Sequence, residues 1–293
     1  MCSDRLRRPG RRAVPLSGAV PSAGRLAAIA VNTFREAVRQ RFFVIVSLAT
    51  VSFGLAAWWL RDCGVVACRE KFLLDAGFGA LAFFGAIVAI VATAGSFFGE
   101  IERRTVLAVL SRPVRRKEFV LGKLGGILGL LFVFCGMGTA LLVGLLWCSR
   151  TLPEEQLPGA MLAGERVSLP AVALCGLVQW LRCSVLAALA LAVSAYSRSS
   201  LLAVVASFAA LVVCSLRSFA WDAFASAGHG LAGGAARVLG ACVPDFDLYE
   251  VADAVANGGA VSPGYLSGIA LYSTIYVGMF AAIAACFFWH REL

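Results

Sequence analysis

The hydrophobic positions along this chain fall into six runs that are separated by more polar segments. A helix needs about 20 consecutive apolar residues to cross a hydrocarbon layer about 30 Å thick, and the runs reach or approach that length. The runs that we interpret as membrane spans are residues 42–60, 76–98, 120–147, 171–194, 201–216 and 265–289. The pattern therefore predicts an all-α polytopic membrane protein with six transmembrane helices.

The fifth run, residues 201–216, is the shortest of the predicted spans. Its 16 residues would rise only about 24 Å as a helix. It would have to extend into residues 217–219, lie in a locally thinned bilayer, or pair closely with the fourth span through the short turn at residues 196–200. We interpret it as a span because that turn leaves little room for another geometry.

Composition and charge agree with a membrane protein. Hydrophobic residues make up 60% of the 293 residues and charged residues only 15%, which excludes a disordered chain and an ordinary soluble domain. The basic residues behind the net charge of +9 are concentrated in the predicted cytoplasmic segments. Nine Arg precede residue 42 and six Lys or Arg lie in residues 99–119, whereas the outer connections together hold seven. This positive-inside bias predicts that both termini are cytoplasmic, and it explains the charge without nucleic acid as a partner.

The N-terminal region divides into a basic arm, residues 1–24, and an amphipathic segment, residues 25–41. The arm has no apolar core of a secretory signal, so we expect it to stay in the cytoplasm. In the second segment apolar and small side chains share one helical face, and Arg and Glu side chains lie on another. We therefore expect an interfacial elbow helix that lies in the membrane plane, packs on the bundle and turns into the bilayer near Phe42.

The polar segment between the second and third predicted spans, residues 99–119, carries the most informative pattern. Residues 100–111 are good helix formers with carboxylates at the start, Pro113 then forces a break, and a second helical run is expected from Arg115. The apolar side chains left outside the bilayer are Val106, Val109 and Leu110. A solvated basic loop would explain the arginines but not this apolar stripe, so the pattern favours a docking surface.

This segment resembles the loop between the second and third spans of the export permeases of ABC transporters, the single-domain type with six spans and a separate ATPase chain. The matching residues are Glu100, Glu102, Arg104, Thr105, Leu110, Ser111, Pro113, Arg116, Glu118, Gly122 and Lys123. Residues 32–43 are similar to the elbow helix of that family, and residues 191–205 to its tight inner turn. Residues 243–255 are similar to the outer segment of the family branch that includes the copper-oxidase maturation and gliding-motility permeases.

The resemblance implies that the segment is a cytoplasmic coupling helix that docks in a groove of a separate ABC ATPase. The residues that it assigns to ATPase coupling are Glu100, Glu102, Arg104, Thr105, Val106, Val109, Leu110, Pro113 and Arg116. The partner would hydrolyse the ATP, because this chain has no GxxxxGKS or GxxxxGKT motif, and we expect no enzyme activity, cofactor or metal in the chain itself. A second permease chain and a location in the bacterial inner membrane are also implied.

Two polar side chains, Gln179 and Arg182, fall near the middle of the fourth predicted span. An ionised group at that depth is costly unless it faces protein or water. Arg182 is therefore a candidate residue of a translocation path, together with Gln179. The alternative is a buried Arg that bonds to helix carbonyls at a subunit contact.

The start of the third predicted span holds a lysine and four glycines. Lys123 is expected to extend its side chain to the lipid headgroups. The glycines are spaced four residues apart, as Gly122 with Gly126 and Gly125 with Gly129. Small residues at that spacing predict a close helix approach within the chain.

The long outer connection, residues 217–264, contains a moderately apolar stretch at residues 228–243. This stretch is either a re-entrant segment or a helix on the outer surface. An outer or periplasmic accessory protein would dock here, which keeps open a non-transporting subunit that turns ATP hydrolysis into mechanical work on that partner. An ion-coupled carrier is disfavoured because no Asp or Glu lies inside a predicted span. The leading hypothesis is the membrane subunit of an ATP-driven exporter, and its substrate stays open.

Overall fold

A computed structural model describes residues 22–60, 69–102, 116–151, 168–217, 243–256 and 262–290 of the chain. Most of these residues are helical and no strand occurs among them. The helices are α1 Ser22–Val38, α2 Arg41–Leu60, α3 Arg69–Glu102, α4 Arg116–Thr151, α5 Leu169–Tyr196, α6 Ser200–Ser215, a short 3-10 helix Asp247–Tyr249, α7 Val251–Ala256 and α8 Pro263–His290. The predicted all-α class is confirmed.

In the described part of the chain, five helices are long and apolar enough to cross a membrane. Their membrane-crossing portions are Arg41–Leu60, Glu70–Gly99, Glu118–Ser149, Leu169–Tyr196 and Pro263–Phe287. They contain most or all of the first four predicted spans and of the last one, and they confirm a multi-pass membrane protein. The remaining apolar helix, α6, has only 16 residues. The total of six spans depends on α6 and stays a prediction.

The core of the bundle is built around α5, which packs against α3, α4, α6 and α8. Every residue from Cys183 to Ala192 is buried, so this half of α5 has no side facing the lipid. Several of these residues are Ala, and small side chains let membrane helices approach closely. On α5 the Trp180 indole also donates a hydrogen bond to the carbonyl oxygen of Leu128 on α4, at 3.1 Å. Helix α5 therefore holds the other helices in place.

The glycine pair Gly122 and Gly126 brings α1 against the first turns of α4. A Cβ added to Gly126 would lie 2.5 Å from the carbonyl oxygen of Ala30, and one added to Gly122 would lie 2.8 Å from Cβ of Ile29. Side chains do not pack that closely, so glycine is what allows the two helices to touch. The predicted close approach within the chain is confirmed for this pair.

The N-terminal amphipathic helix ends earlier than predicted. The prediction placed it at residues 25–41, but α1 ends at Val38 and α2 begins at Arg41. Between them the backbone N–H of Gln40 donates to the carbonyl oxygen of Ala37 at 3.2 Å, which tightens the last turn of α1 and separates the two helices. The prediction that this helix packs on the bundle is confirmed by its contact with α4. Its position in the membrane plane stays a prediction.

The predicted outer connection, residues 217–264, which we call the outer segment, returns to the helix bundle at residues 243–256. The side chains that it buries there are Phe246, Tyr249, Val251 and Val255. Helix α7 packs on α3 and α5, and Asp245 forms an ion pair of 3.7 Å with Arg217, which follows α6. This part of the outer segment is therefore inserted beside the C-terminal end of the short helix α6. Of the apolar stretch at residues 228–243, all but Val243 lies outside the described residues.

Hydrogen bonds fix the inserted outer segment to α8. The hydroxyl groups of Tyr249 and Ser273 are 2.7 Å apart, and the Tyr272 hydroxyl accepts a hydrogen bond of 2.8 Å from the backbone N–H of Asp245. The Tyr265 hydroxyl donates to a carbonyl oxygen of the 3-10 helix at 3.0 Å. The inserted segment and α8 therefore form one packed unit.

The burial of Tyr249 predicts a pH-dependent contribution to stability. Burial raises the pKa of its hydroxyl from 10.0 to about 12, so the folded state holds the proton more tightly than the unfolded state. The contribution is complete below the unfolded pKa and is lost as the pH rises from about 10 towards 12. We expect Tyr249→Phe to flatten the alkaline part of a profile of melting temperature against pH, measured in detergent. Identical alkaline slopes for wild type and variant would contradict this expectation.

Candidate coupling and substrate sites

Helices α3 and α4 flank the predicted coupling segment. Helix α3 ends at Glu102 and α4 begins at Arg116, so residues 103–115 lie outside the described residues. The predicted coupling residues within that gap are Arg104, Thr105, Val106, Val109, Leu110 and Pro113. Of the other three, Glu100 and Glu102 belong to the last turn of α3 and Arg116 starts α4. Since α3 packs on α4, the two ends of the segment emerge from one packed pair of helices.

The prediction that a separate helix begins at Glu100 is wrong. Residues 100–102 continue α3 without a break, because the run contains no Pro and the single Gly99 costs a helix only about 1 kcal/mol. Glu100 and Glu102 therefore do not lie in the first turn of a helix, where the helix dipole would favour their negative charge. The second helical run, expected from Arg115, is present in the described residues from Arg116 onward.

Lys123 joins α3 and α4 close to the coupling segment. Its side chain is 0% exposed, and its Nζ donates a hydrogen bond to the carbonyl oxygen of Ser96 on α3. Nζ also lies 5.0 Å from the ring centroid of Phe119 and 5.9 Å from that of Phe97, within the range of cation–π interaction. The prediction that Lys123 extends to the lipid headgroups is wrong, because a carbonyl oxygen and two ring faces hold it inside the bundle.

The bond between Lys123 and Ser96 lies within about two helical turns of both Glu102 and Arg116. It therefore ties the two helices together near the point where the chain leaves them. Hydrogen bonds from a charged donor are among the strong ones in proteins, and burial removes the water that would compete for the same carbonyl. A displacement of the segment between α3 and α4 would therefore move both helices, because this bond joins them next to the segment.

A cavity of about 240 Å³ lies between α3, α5, α6 and the inserted outer segment. The residues that line it are Gly79, Ala82, Phe83 and Ala86 of α3, Gln179, Arg182, Cys183 and Leu186 of α5, Leu211 and Ser215 of α6, and Phe246. The two polar residues that the sequence placed together, Gln179 and Arg182, thus line one cavity. Their role in a translocation path stays a prediction.

Arg182 is half-buried at the midpoint of α5. Its guanidinium carbon lies 5.6 Å from the centroid of the Phe246 ring, so the ring of the outer segment covers the cation. Within the described part of the chain, the guanidinium has no carboxylate partner and no hydrogen bond to a helix carbonyl. The alternative, an Arg that bonds to helix carbonyls at a subunit contact, stays a prediction.

The lining of the cavity includes both buried and exposed residues. Gln179 is only 5% exposed, and its Nε2 lies 3.8 Å from Sγ of Cys183. A Cβ added to Gly85 would lie 2.9 Å from that sulfur, so α3 and α5 touch directly at this point. By contrast, Phe83 is 63% exposed, and a Cβ added to Gly79 would meet no atom within 4 Å. The cavity therefore opens between Gly79 and Phe83, and we call this opening its mouth; Ser215 of α6 is a further exposed lining residue.

Many polar side chains elsewhere in the helices bond to their own backbone. Thr50 donates to the carbonyl oxygen of Val46 at 2.9 Å, and Ser194 to that of Ala190 at 2.7 Å. Such bonds satisfy a hydroxyl inside an apolar bundle without a partner from another helix. Among the described residues, no group of three or more His, Cys, Asp or Glu is placed to hold a metal ion. The cavity at Arg182 is one place in the described part of the chain where polar side chains face open volume.

The sequence did not indicate that Phe246 covers Arg182. Phe246 lies in the segment that resembles a permease branch, between the carboxylates of Asp245 and Asp247. An aromatic residue between two charged ones in an outer connection was the only signal in the sequence. The contact of Phe246 with Arg182 depends on the insertion of this segment beside α6. No local sequence pattern predicts that insertion.

The apolar helix bundle, with a charged segment between two of its helices and a cation-bearing cavity, defines a multi-pass α-helical membrane protein. The family model described as ABC-2 family transporter protein matches residues 27–240. The chain therefore belongs to the ABC-2 family, as an ABC transporter permease subunit. Members of this family are membrane transport components that normally work with a separate ATPase subunit. No match was found among curated proteins.

Proposed function

We propose that this chain is the permease subunit of an ATP-binding-cassette exporter in the bacterial inner membrane, with both termini in the cytoplasm. ATP hydrolysis on a separate ATPase chain would move the segment between α3 and α4, and a second permease chain would complete the transporter. The observation that carries the proposal is the buried joint of Lys123 and Ser96, which ties the two helices at the base of that segment.

Helix length supports a segment that lies outside the bilayer. Helices α3 and α4 have 34 and 36 residues, so each extends about 50 Å, well beyond a hydrocarbon layer of about 30 Å. Packed helices shift as units and do not deform continuously. A push on the segment would therefore move the joined pair together.

Helix α3 connects the coupling segment with the cavity. It carries Ser96 and Glu102 near the segment, and it lines the cavity with residues from Gly79 to Ala86. Because α3 runs without a break between these positions, a shift at one end would change the shape of the cavity at the other. Gln179 and Arg182 on α5 are the proposed binding groups on the translocation path.

A second candidate function is mechanical work on an outer partner without transport. The observation that favours it is the insertion of residues 243–256, which pack on α3 and α5 and bond to α8. Motion of α3 would then also move the outer segment. Transport of a small amphiphile by reconstituted protein would reject this candidate in favour of the exporter.

The docking role of Val109 predicts that Val109→Glu abolishes association with the ATPase. The glutamate carboxylate would be buried in an apolar contact with the ATPase without a hydrogen-bonding or charged partner, and burying an unpaired charge costs binding free energy. The measurement is co-purification of the ATPase with tagged permease from membranes of cells that express both chains. Val109→Ile, which keeps the apolar character, is the matched control and should retain the ATPase. Equal recovery with wild type and Val109→Glu would count against docking at this position.

A further inference from the structure

The guanidinium of Arg182 is a cation for which the described part of the chain supplies no counter-ion. Its one close partner there is the Phe246 ring, at 5.6 Å. Charged groups at the depth of a membrane helix midpoint are costly, and they normally pair or face a polar pathway. The cavity beside Arg182 is therefore electrostatically suited to an anion.

The contact with Phe246 leaves the N–H donors of Arg182 available. A guanidinium is planar, and its five N–H donors lie in that plane and point outwards. The Phe246 ring offers no oxygen or nitrogen that could accept a hydrogen bond from these donors. The free edge matches the two oxygens of a carboxylate or a phosphate, which a guanidinium binds in a bidentate manner. The buried amide of Gln179 offers a second polar contact in the same cavity.

The walls of the cavity suit an alkyl chain. Apart from Arg182, Gln179 and Ser215, its lining is apolar or thiol. At about 240 Å³ it is smaller than the pockets of about 300–1,000 Å³ that enclose whole drug-sized ligands. It can therefore hold a headgroup and the adjoining methylenes, and the mouth at Gly79 and Phe83 lets the rest of the chain leave.

We propose that this cavity binds the head of a single-chain anionic amphiphile, a carboxylate or phosphate joined to an alkyl chain. Arg182 binds the oxyanion, Gln179 donates to it, and the chain passes between Gly79 and Phe83. The proposal names the substrate class of the exporter, so transport of the bound amphiphile rests on the proposed function. Binding itself needs no ATPase.

Equilibrium binding to the full chain in phosphatidylcholine nanodiscs tests the proposal. The probes are dodecyl phosphate, dodecanoate and the uncharged dodecanol. We expect at least one anionic probe to bind about ten- to a hundredfold more tightly than dodecanol, which corresponds to a charge-assisted hydrogen bond of about 1.5–3 kcal/mol. Binding of dodecyl phosphate alone would assign a phosphate head, and binding of both anions would assign an oxyanion of either kind. Equal affinities for charged and uncharged probes would overturn the proposal.

Two variants locate the site. Arg182→Met should remove the preference for anions and leave the affinity for dodecanol unchanged. Gly79→Leu should fill the mouth and lower the affinity for all three probes. Gly136→Leu is the control, because Gly136 is also exposed and an added Cβ there would also meet no atom within 4 Å. Full anion preference in Arg182→Met, or equal effects of Gly79→Leu and Gly136→Leu, would reject the site.

The same preparation separates this proposal from the proposed function. Anion-selective binding by a chain that does not associate with an ATPase would reject the exporter and keep the site. Association with an ATPase without anion-selective binding would keep the exporter and reject the site.

Discussion

Replacing Lys123 by glutamate is expected to prevent the chain from accumulating as a folded membrane protein. The lysine is fully buried, its Nζ donates to the Ser96 carbonyl oxygen, and the rings of Phe97 and Phe119 lie nearby. A carboxylate there would face a carbonyl oxygen and two ring faces, all of which repel negative charge. An uncompensated buried charge costs about 3–5 kcal/mol, a large part of the stability of a typical protein. Membrane yield and melting temperature in detergent measure the effect.

Lys123→Met is the matched control for this charge reversal. Methionine has a similar length and places no negative charge beside the Ser96 carbonyl oxygen and the two rings, so we expect more folded protein than with Lys123→Glu. What the variant lacks is the bond between α3 and α4. Coupling of ATP hydrolysis to substrate should therefore fall about ten- to a hundredfold, in line with a lost charge-assisted hydrogen bond. A stable Lys123→Glu protein, or full coupling in Lys123→Met, would show that this joint has no such role.

Gly126→Ala is expected to destabilise the contact between α1 and α4. The added methyl group would lie 2.5 Å from the backbone carbonyl oxygen of Ala30, which cannot rotate away as a side chain can. Overpacking of this kind costs about 1–3 kcal/mol. Alanine otherwise favours a helix over glycine by up to about 1 kcal/mol, so a loss here would oppose the intrinsic preference. The melting temperature in detergent should fall by several degrees.

Two neighbouring glycines of α4 serve as controls for Gly126. A Cβ added to Gly125 or to Gly129 would lie 3.6 Å from its nearest neighbour, which is an ordinary contact. Alanine at either position should leave the melting temperature unchanged or raise it, because only the helix preference changes. A fall of equal size at all three positions would mean that α4 is sensitive to any change, and the specific contact with α1 would lose its support.

Helix positions were predictable because one physical rule, the length of an apolar run, selects membrane spans. The predicted spans at residues 76–98 and 120–147 both lie inside observed helices. The helix ends were not predictable from that rule. Hydropathy marks the edge of the hydrocarbon layer, whereas a helix continues until its backbone groups find other partners. Helix α3 therefore reaches Glu102, beyond the predicted end of its span.

The glycine spacing predicted close packing but not its partner. A repeat of four residues places Gly122 and Gly126 on one face of α4, which is a local property of the sequence. That this face meets Ile29 and Ala30 of α1 depends on how the N-terminal helix folds back. Patterns of small residues thus indicate where another helix can approach the backbone. Which helix approaches depends on the tertiary fold.

The direction of Lys123 and the packing of Phe246 depend on distant parts of the chain. A lysine near the end of a span can extend to the headgroups or turn inwards to a carbonyl oxygen, and its hydropathy is the same in both cases. The inward direction depends on Ser96, which is on another helix. Phe246 likewise reaches Arg182 only because the outer segment is inserted among the helices. These two contacts define the proposed coupling joint and the proposed binding cavity.

Photo-crosslinking from position 109 tests most directly whether an ATPase drives this chain through the segment between α3 and α4. A photoreactive amino acid replaces Val109 in the full chain, which is expressed with the ATPase and irradiated in intact membranes. Trp147, which is 64% exposed near the far end of α4, is the control position. We predict one crosslinked product that contains both chains from position 109, and none from position 147. ATPase crosslinking from position 147 in place of 109, or a position 109 that reacts only with reagents added outside the cell, would contradict the account.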